Sequence, residues 1–263
     1  MLSKSRIQFI SSLKTGKYRG INQRFIAEGP KLVYELLQSE YVIDSLYATQ
    51  EWINENGSEI LSKVSIIPIF LKELERISAL KTPNQVLAVV CIPRQMDELP
   101  DQDGQLVLAL DNISDPGNTG TIIRTAEWFG IRNIICSENC ADIYNPKVVQ
   151  ASMGSIFRVN IFYKNLKQYL WALPEKIPVY GALLNGKDIY KTDLTAHGII
   201  IIGNESHGIS SELLPLIKTK IKIPDYSGGG SISAESLNAS IAAAIVLSEF
   251  KRRSSSSKSC QGI

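Results

Sequence analysis

The sequence predicts an α/β protein of two domains, the second built on a mostly parallel sheet. Three observations lead there. Short apolar runs alternate with amphipathic stretches along nearly the whole chain, the pattern of strand–helix units. In the second half the run within Gln105–Asp111 and the four isoleucines 199–202 are continuously apolar, as strands buried on both faces require. Between the halves, Pro93–Gln105 combines two prolines with Asp97, Glu98, Asp101 and Asp103 and has no hydrophobic period. It reads as a linker.

In the first half, a strand at Arg24–Ala27 enters a helix at Pro30–Gln38. Strands are expected at Val42–Ala48, Val64–Ile69 and Val86–Ile92, with helices near 50–62 and 71–79. The second half opens with a strand over Gln105–Asp111 and a turn at Asn112–Gly117. The helix that follows, about 119–129, turns Ile122, Ala126 and Phe129 inward and leaves Arg124 off that face. Further strands are expected at 133–137, 158–163, 178–184, 198–203 and 219–223. The last helix runs from Ser236 to Arg253, with an apolar face of Leu237, Ile241, Ile245 and Phe250. Ser254–Ile263 is serine-rich and reads as a disordered tail. The expected division is therefore 1–93, a linker at 94–105, a second domain at 106–253, and the tail.

Composition narrows the class. With 263 residues, 44% hydrophobic and 21% charged, the chain can bury a core and reads as soluble. Its longest apolar runs, Val86–Ile92 and Ile241–Leu247, fall well short of the ~18 residues of a membrane span. Cys91, Cys136, Cys140 and Cys260 make no disulfide framework in a chain this long. Only His197 and His207 could join Cys136 and Cys140 as metal ligands, so no metal site is expected. A net charge of +2 excludes a uniformly basic coat, but residues 1–31 carry seven bases, from Lys4 to Lys31, against the single acid Glu28. Such an end suits phosphate contact. A mitochondrial presequence and a solvated helix face are the alternatives. No secretory hydrophobic segment is present, and a cytoplasmic location is expected.

Three strand-to-helix junctions carry polar groups. The first is Leu110–Glu127, where Gly117 and Gly120 form a tight turn or admit a ligand at a helix N-terminus. Its outline faintly suggests a dinucleotide site, but the GxGxxG spacing is missing. The second, Ile199–Ile209, brings Gly203, Asn204 and Glu205 to the carboxyl end of a strand, where open α/β sheets bind ligands. In the third, Ile223–Ser240, a glycine-rich loop enters a helix whose start displays Ser236, as an N-cap or a substrate contact, and Asn238.

Taken in order, Asn118-Thr-Gly-Thr-Ile-Ile-Arg124, Gly203-Asn-Glu205, Ile223-Pro and Ser236-Leu-Asn-Ala-Ser240 resemble the SpoU family of RNA ribose 2′-O-methyltransferases. Arg24–Val33 and its surroundings are similar to the substrate-binding domain fused ahead of many members, which itself resembles a ribosomal-protein RNA-binding fold. The resemblance implies a trefoil-knotted methyltransferase domain of the SPOUT class, S-adenosylmethionine as cofactor, a homodimer, and RNA as substrate. It also implies that the basic stretch runs directly into a folded domain. Carried over residue by residue, Asn118, Arg124, Glu205, Ser236 and Asn238 become the catalytic set, and Gly203, Asn204, Ile223 and Leu237 the cofactor set. Ser206 and His207 depart from the small residues usual after the glutamate, and the stretch before Leu237 is longer and richer in glycine than the family pattern.

Methyl transfer to a ribose hydroxyl leaves negative charge on oxygen, and a guanidinium is a poor proton acceptor. The implied role of Arg124 is to hold a phosphate and stabilise the developing alkoxide. Glu205 pairs with Arg124 or faces the cationic cofactor, while Asn118 and Asn238 orient the arginine and the ribose. RNA contact is expected at Lys4, Arg6, Lys17, Arg19 and Arg24, and the resemblance implies ribosomal RNA in preference to transfer RNA. A non-catalytic RNA-binding or ribosome-assembly factor, and a nucleotide-dependent oxidoreductase, are the competing classes.

Overall fold

The computed structural model describes residues 1–60, 64–94, 104–227 and 236–258. Most of the expected linker, half of the expected tail, and residues 228–235 of the glycine-rich loop lie outside them. The chain forms two compact units, Met1–Gln95 with Asp142–Arg158, and Met96–Ala141 with Val159–Ile263.

The first unit begins with α1 (Lys4–Ser12) and α2 (Gly16–Asn22), where only a basic stretch was legible. Ser3 caps α1 by accepting from the Arg6 amide, and Ile7 and Ile10 anchor the helix in the core. Then come β1 (Arg24–Glu28), α3 (Pro30–Leu37), β2 (Ile43–Ala48), α4 (Gln50–Ile60), β3 (Ile66–Pro68), α5 (Leu71–Ile77) and β4 (Val86–Cys91). The strand order is β1-β4-β2-β3, antiparallel except for the β2–β3 pair. One core cluster joins Ile10 and Leu13 to Tyr47, Ile77 and Leu87, all fully buried.

The second unit holds β5 (Leu106–Asp111), α6 (Pro116–Trp128) and β6 (Asn133–Cys136). The chain then returns to the first unit as α7 (Pro146–Ser152). Aromatic and charged groups explain that return: Tyr144 stacks on Phe25 at 4.7 Å, Phe157 meets Tyr41 at 5.1 Å, and Arg158 bonds Glu35. A division read in chain order, with 106–253 as one block, does not contain this excursion. The second unit continues through β7 (Asn160–Tyr163), α8 (Leu166–Trp171), β8 (Val179–Asp188), β9 (Gly198–Gly203), β10 (Thr219–Lys222) and α9 (Ala239–Lys258). α9 extends into residues expected to lie in the tail.

All five pairings in the six-stranded sheet, ordered β10-β8-β9-β5-β6-β7, are parallel. From β5 the chain builds outward through β6 and β7, then crosses to the other side for β8, β9 and β10. The reversal falls between β5 and β9, the kind of place where ligands bind beyond the carboxyl ends. There the register pairs Asp111 with Gly203.

Two helices differ from expectation in instructive ways. α6 starts three residues early, because Asp115 caps it by accepting from the Asn118 amide and Pro116 fits its first turn. Ile122 and Ala126 face inward as expected, while Phe129 is the half-buried C-cap. On α9 the buried face is Ala239, Ala243, Val246, Leu247 and Phe250. Of the four residues expected there only Phe250 is buried; Leu237 precedes the helix, and it and Ile241 are about half exposed.

Candidate active site

The site is built at the β5–β9 switch point. β5 ends in Asp111, 3% exposed, whose carboxylate accepts from the Ser210 amide at 2.6 Å. Asn112 then takes a left-handed backbone (φ 56°), which asparagine tolerates better than most residues. Its side-chain amide donates to Asp111 and to Ser210 Oγ, both at 2.9 Å, and its own N–H donates to Ser137 Oγ at 2.9 Å. The corner is thereby held from three sides.

The loop after β9 is locked to this corner. Asn204 donates through its side chain to the Asn112 carbonyl at 2.9 Å, and its Oδ1 accepts from the amides of Ser206 (2.9 Å) and His207 (3.2 Å). Backbone bonds in both directions between Asn204 and Gly208 close the hairpin, leaving Ser206 and His207 at its exposed tip. Their departure from the family pattern leaves the hairpin closed. Gly203 has no room for a side chain, since a Cβ there would meet Gly208 C at 2.3 Å and Ile209 N at 2.4 Å.

Four of the five expected catalytic residues meet in one cluster. Asn118 Nδ2 donates to Glu205 Oε1, and Asn238 Nδ2 donates to Asn118 Oδ1 at 3.0 Å. The opposite face of the Asn238 amide is fixed too: its Oδ1 accepts from the Ser240 amide at 2.9 Å and Ser240 Oγ at 2.6 Å. Asn238 is therefore the residue that caps α9. Ser236 instead donates to the Glu205 carbonyl at 3.4 Å, so the expected N-cap role belongs to its neighbour. Orientation passes from the start of α9 through Asn238 to Asn118 and on to Glu205.

Arg124 lies outside this cluster. It is exposed on α6 and has no hydrogen-bond or ion-pair partner among the described residues. Glu205 is held by Asn118, so the expected alternative of a Glu205–Arg124 pair is not formed. A cation with no partner among the described residues, on the helix that also carries Asn118, can take up an anionic substrate group. Ile223, just past β10, and Leu237, 46% exposed, offer apolar surface near the same strand ends. These apolar groups and the Glu205 carboxylate fit a cationic nucleoside such as S-adenosylmethionine, whereas the missing side chain at Gly203 makes room for the backbone of Gly208 and Ile209.

The basic residues proposed for RNA divide. Lys4 and Lys17 are exposed and have no partner among the described residues. Arg6 is occupied by Tyr47, Ser45 and Asp44, and Arg24 by Asp44. Burial pulls the Asp44 carboxyl upward, but hydrogen bonds from Arg24 and Arg6 outweigh it and hold the group below its ordinary value. Arg19 is only 3% exposed, bonded to Asp142 and the Leu13 carbonyl, and is a structural cation rather than a surface contact. Sequence reasoning also passed over Asp111, Asn112, Ser137 and Ser210; an Asp-Asn pair ending an apolar strand was the available signal.

Comparison with known proteins converges on this geometry. Residues 105–248 match the SpoU rRNA Methylase family, and residues 4–88 match the MRM3-like substrate binding domain. The chain is 30% identical over 237 residues to the 23S rRNA (guanosine(2553)-2′-O)-methyltransferase RlmP of Bacillus subtilis, covering 89% of this chain and 91% of that protein. The SpoU methyltransferase AviRb of Streptomyces viridochromogenes, solved with the cofactor AdoMet, superposes with a TM-score of 0.81 at 26% identity. That match covers 97% of this chain and 99% of AviRb. An AdoMet-bound rRNA methyltransferase from Sinorhizobium meliloti gives 0.82 at 28% identity, with 96% of each chain covered. With its motifs assembled at the switch point of a parallel sheet, the chain belongs to the SpoU rRNA methylase family.

Proposed function

We propose that the protein transfers a methyl group from S-adenosylmethionine to a ribose 2′-hydroxyl of ribosomal RNA. The observation that carries this reading is the Asn118–Glu205–Asn238 cluster at the β5–β9 switch point, with Arg124, exposed and without a partner among the described residues, on the same helix as Asn118. The cofactor, when bound, supplies an electrophilic methyl on a positively charged sulfur. The transfer would join that methyl to the ribose oxygen at the expense of its bond to sulfur, with the hydroxyl proton passing to solvent water. Arg124 holds the adjoining phosphate and stabilises charge on the ribose oxygen. Glu205 places negative charge at the strand mouth, which favours a cationic cofactor. Asn118 and Asn238 keep it there by fixed hydrogen bonds, and Ser236 ties the start of the α9 segment to the same loop. The substrate class is supported by the ribosomal-RNA activity named for RlmP, a relative matched along nine-tenths of this chain.

A homodimer is supported by large apolar side chains left exposed on the second unit. α6 and α9 pack together, and Trp128 (83%), Ile241 (51%) and Leu237 (46%) remain exposed on or beside them. The trefoil knot implied by the resemblance to the SpoU family is retained as part of this reading. Lys4 and Lys17 are retained as RNA contacts. A cytoplasmic location is supported by the free thiols of Cys91, Cys136 and Cys140. The test is to map alkali-resistant ribose positions in RNA from cells lacking the protein. The expected result is one protected step missing from ribosomal RNA and restored by the intact gene. Loss of a step in transfer RNA instead would redirect the substrate.

A further inference from the structure

The first unit contains a cavity of about 270 Å³ bounded by β1, α3, the turn at 79–81 and α7. Its floor is apolar: Ile26, Leu32 and Val149 are no more than 3% exposed. One wall carries Glu28, itself 5% exposed. Its two oxygens each accept one hydrogen bond, from the Ala79 amide at 2.6 Å and Ser78 Oγ at 2.5 Å. A carboxylate oxygen accepts two, so each retains capacity for a further donor. Burial raises the Glu28 carboxyl against the pull of Ser78, Ala79 and Lys14, so its charged form gains from any donor brought in. Gln150 adds an amide to the lining, and Lys81, exposed and without a partner among the described residues, borders the cavity.

We propose that this cavity receives one unstacked guanine of the RNA substrate, with Glu28 and Gln150 reading its edge and Lys81 holding the neighbouring phosphate. The proposal deepens the RNA reading above and rests on it. The space is below the ~300–1,000 Å³ of drug-sized ligand sites and suits a single base. Folded RNA is read in sequence through splayed-out bases, and an apolar floor beneath a polar wall is the surface such a base needs. Guanine presents two adjacent N–H donors, N1–H and the 2-amino group, to a carboxylate. Adenine presents only its exocyclic amine, and cytosine fills less of the floor. Glu28 and Lys81 lie in the part of the chain that matches a substrate-binding domain, and α7, which closes one side with Gln150, lies in the part that matches the methylase family. The cavity is separate from the residues that surround the methyl-transfer site.

The test uses the full chain with guanosine 5′-monophosphate and cytidine 5′-monophosphate as probes, read by amide resonances, alongside methyl-transfer kinetics on unmodified ribosomal RNA. The expected result is that the guanosine nucleotide moves the Gln150 amide and the cytidine nucleotide does not. Ala79→Phe, an exposed position at the turn, should abolish that shift and raise KM for RNA about tenfold, the scale of one lost base contact, with kcat unchanged. Glu28→Gln should give the same loss; Ala79→Phe decides alone if that buried variant does not fold. An unmoved Gln150 amide in the unsubstituted protein would overturn the proposal. So would a guanosine shift with an unchanged KM in Ala79→Phe, which would mean a free-nucleotide site. Nucleotide shifts without methyl transfer to any RNA would leave the base site standing and remove the methyltransferase reading.

Discussion

Asn238 has three jobs that a single amide can do only in one orientation. Its oxygen caps α9 through the Ser240 amide and Ser240 Oγ, while its nitrogen holds Asn118, which in turn holds Glu205. Asn238→Ala is therefore expected to lose about 1 kcal/mol of stability from the cap alone. It should also lower turnover, since Asn118 would be free to rotate away from Glu205. Asn238→Asp keeps the cap acceptor and loses the donor, so thermal unfolding and kcat measured on both variants separate the two effects. Equal kcat in the unsubstituted and aspartate proteins would remove the relay from the account. The same cluster shows what was legible from residues alone. Asn118, Glu205, Ser236 and Asn238 stand at strand-to-helix junctions where polar groups need a reason, so their identity could be read. Their pairing could not, because the bonds span 87 and 120 residues.

At the scale of elements, α9 is held by charge at its far end. Glu249, 5% exposed, accepts from Arg252 and Arg253, and Arg253 also reaches the carbonyls of Ile189, Tyr190 and Thr192. The hydrogen bond from Arg252, aided by Arg253 and opposed by burial, holds the Glu249 carboxyl at about 2, below its ordinary 4.5. A carboxyl lowered in the folded state contributes stability that is complete above its ordinary value and is lost as pH falls towards the folded value. Glu249→Gln should cost about 1.5–3 kcal/mol at neutral pH, the scale of charged hydrogen bonds. The gap between the two proteins should close between pH 4.5 and about 2, followed by denaturant titration at several pH values. A gap independent of pH would assign the effect to packing. Elements themselves were largely readable from periodicity, with ends off by a few residues. α1 and α2 were not, because basic residues interrupt their apolar faces: α1 is anchored by Ile7 and Ile10, and the buried residue of α2 is Arg19. The buried face of α9 was misread for a different reason: an alanine-rich helix offers several apolar faces, and its packing on α6 and β9 selects among them.

For the whole molecule, the least legible feature is the excursion of Asp142–Arg158 into the first unit. Its anchors, Arg19 to Asp142 and Arg158 to Glu35, join residues 123 apart, and no local pattern reports such a pairing. Arg19 shows the consequence, since a charge that reads as an RNA contact is consumed inside the fold. Trp128 and Ile241, both exposed and at opposite ends of the packed α6–α9 pair, bear on assembly. Large exposed apolar groups on adjacent helices mark interaction surfaces more often than isolated ones do. The protein is expected to sediment as a dimer, and Trp128→Glu combined with Ile241→Glu should shift it to monomer with the secondary structure intact. A dimer that survives both charges would place the interface elsewhere.

The most direct test of the central claim is transfer of labelled methyl from S-adenosylmethionine to unmodified ribosomal and transfer RNA, with Arg124→Ala assayed beside the unsubstituted protein. The account predicts label in ribosomal RNA at a single alkali-resistant step. It predicts a loss of about 10²–10³-fold in kcat for the variant, as for removal of one charge-stabilising donor, with cofactor affinity unchanged. Undiminished turnover in Arg124→Ala, or label on a base rather than a ribose, would contradict it.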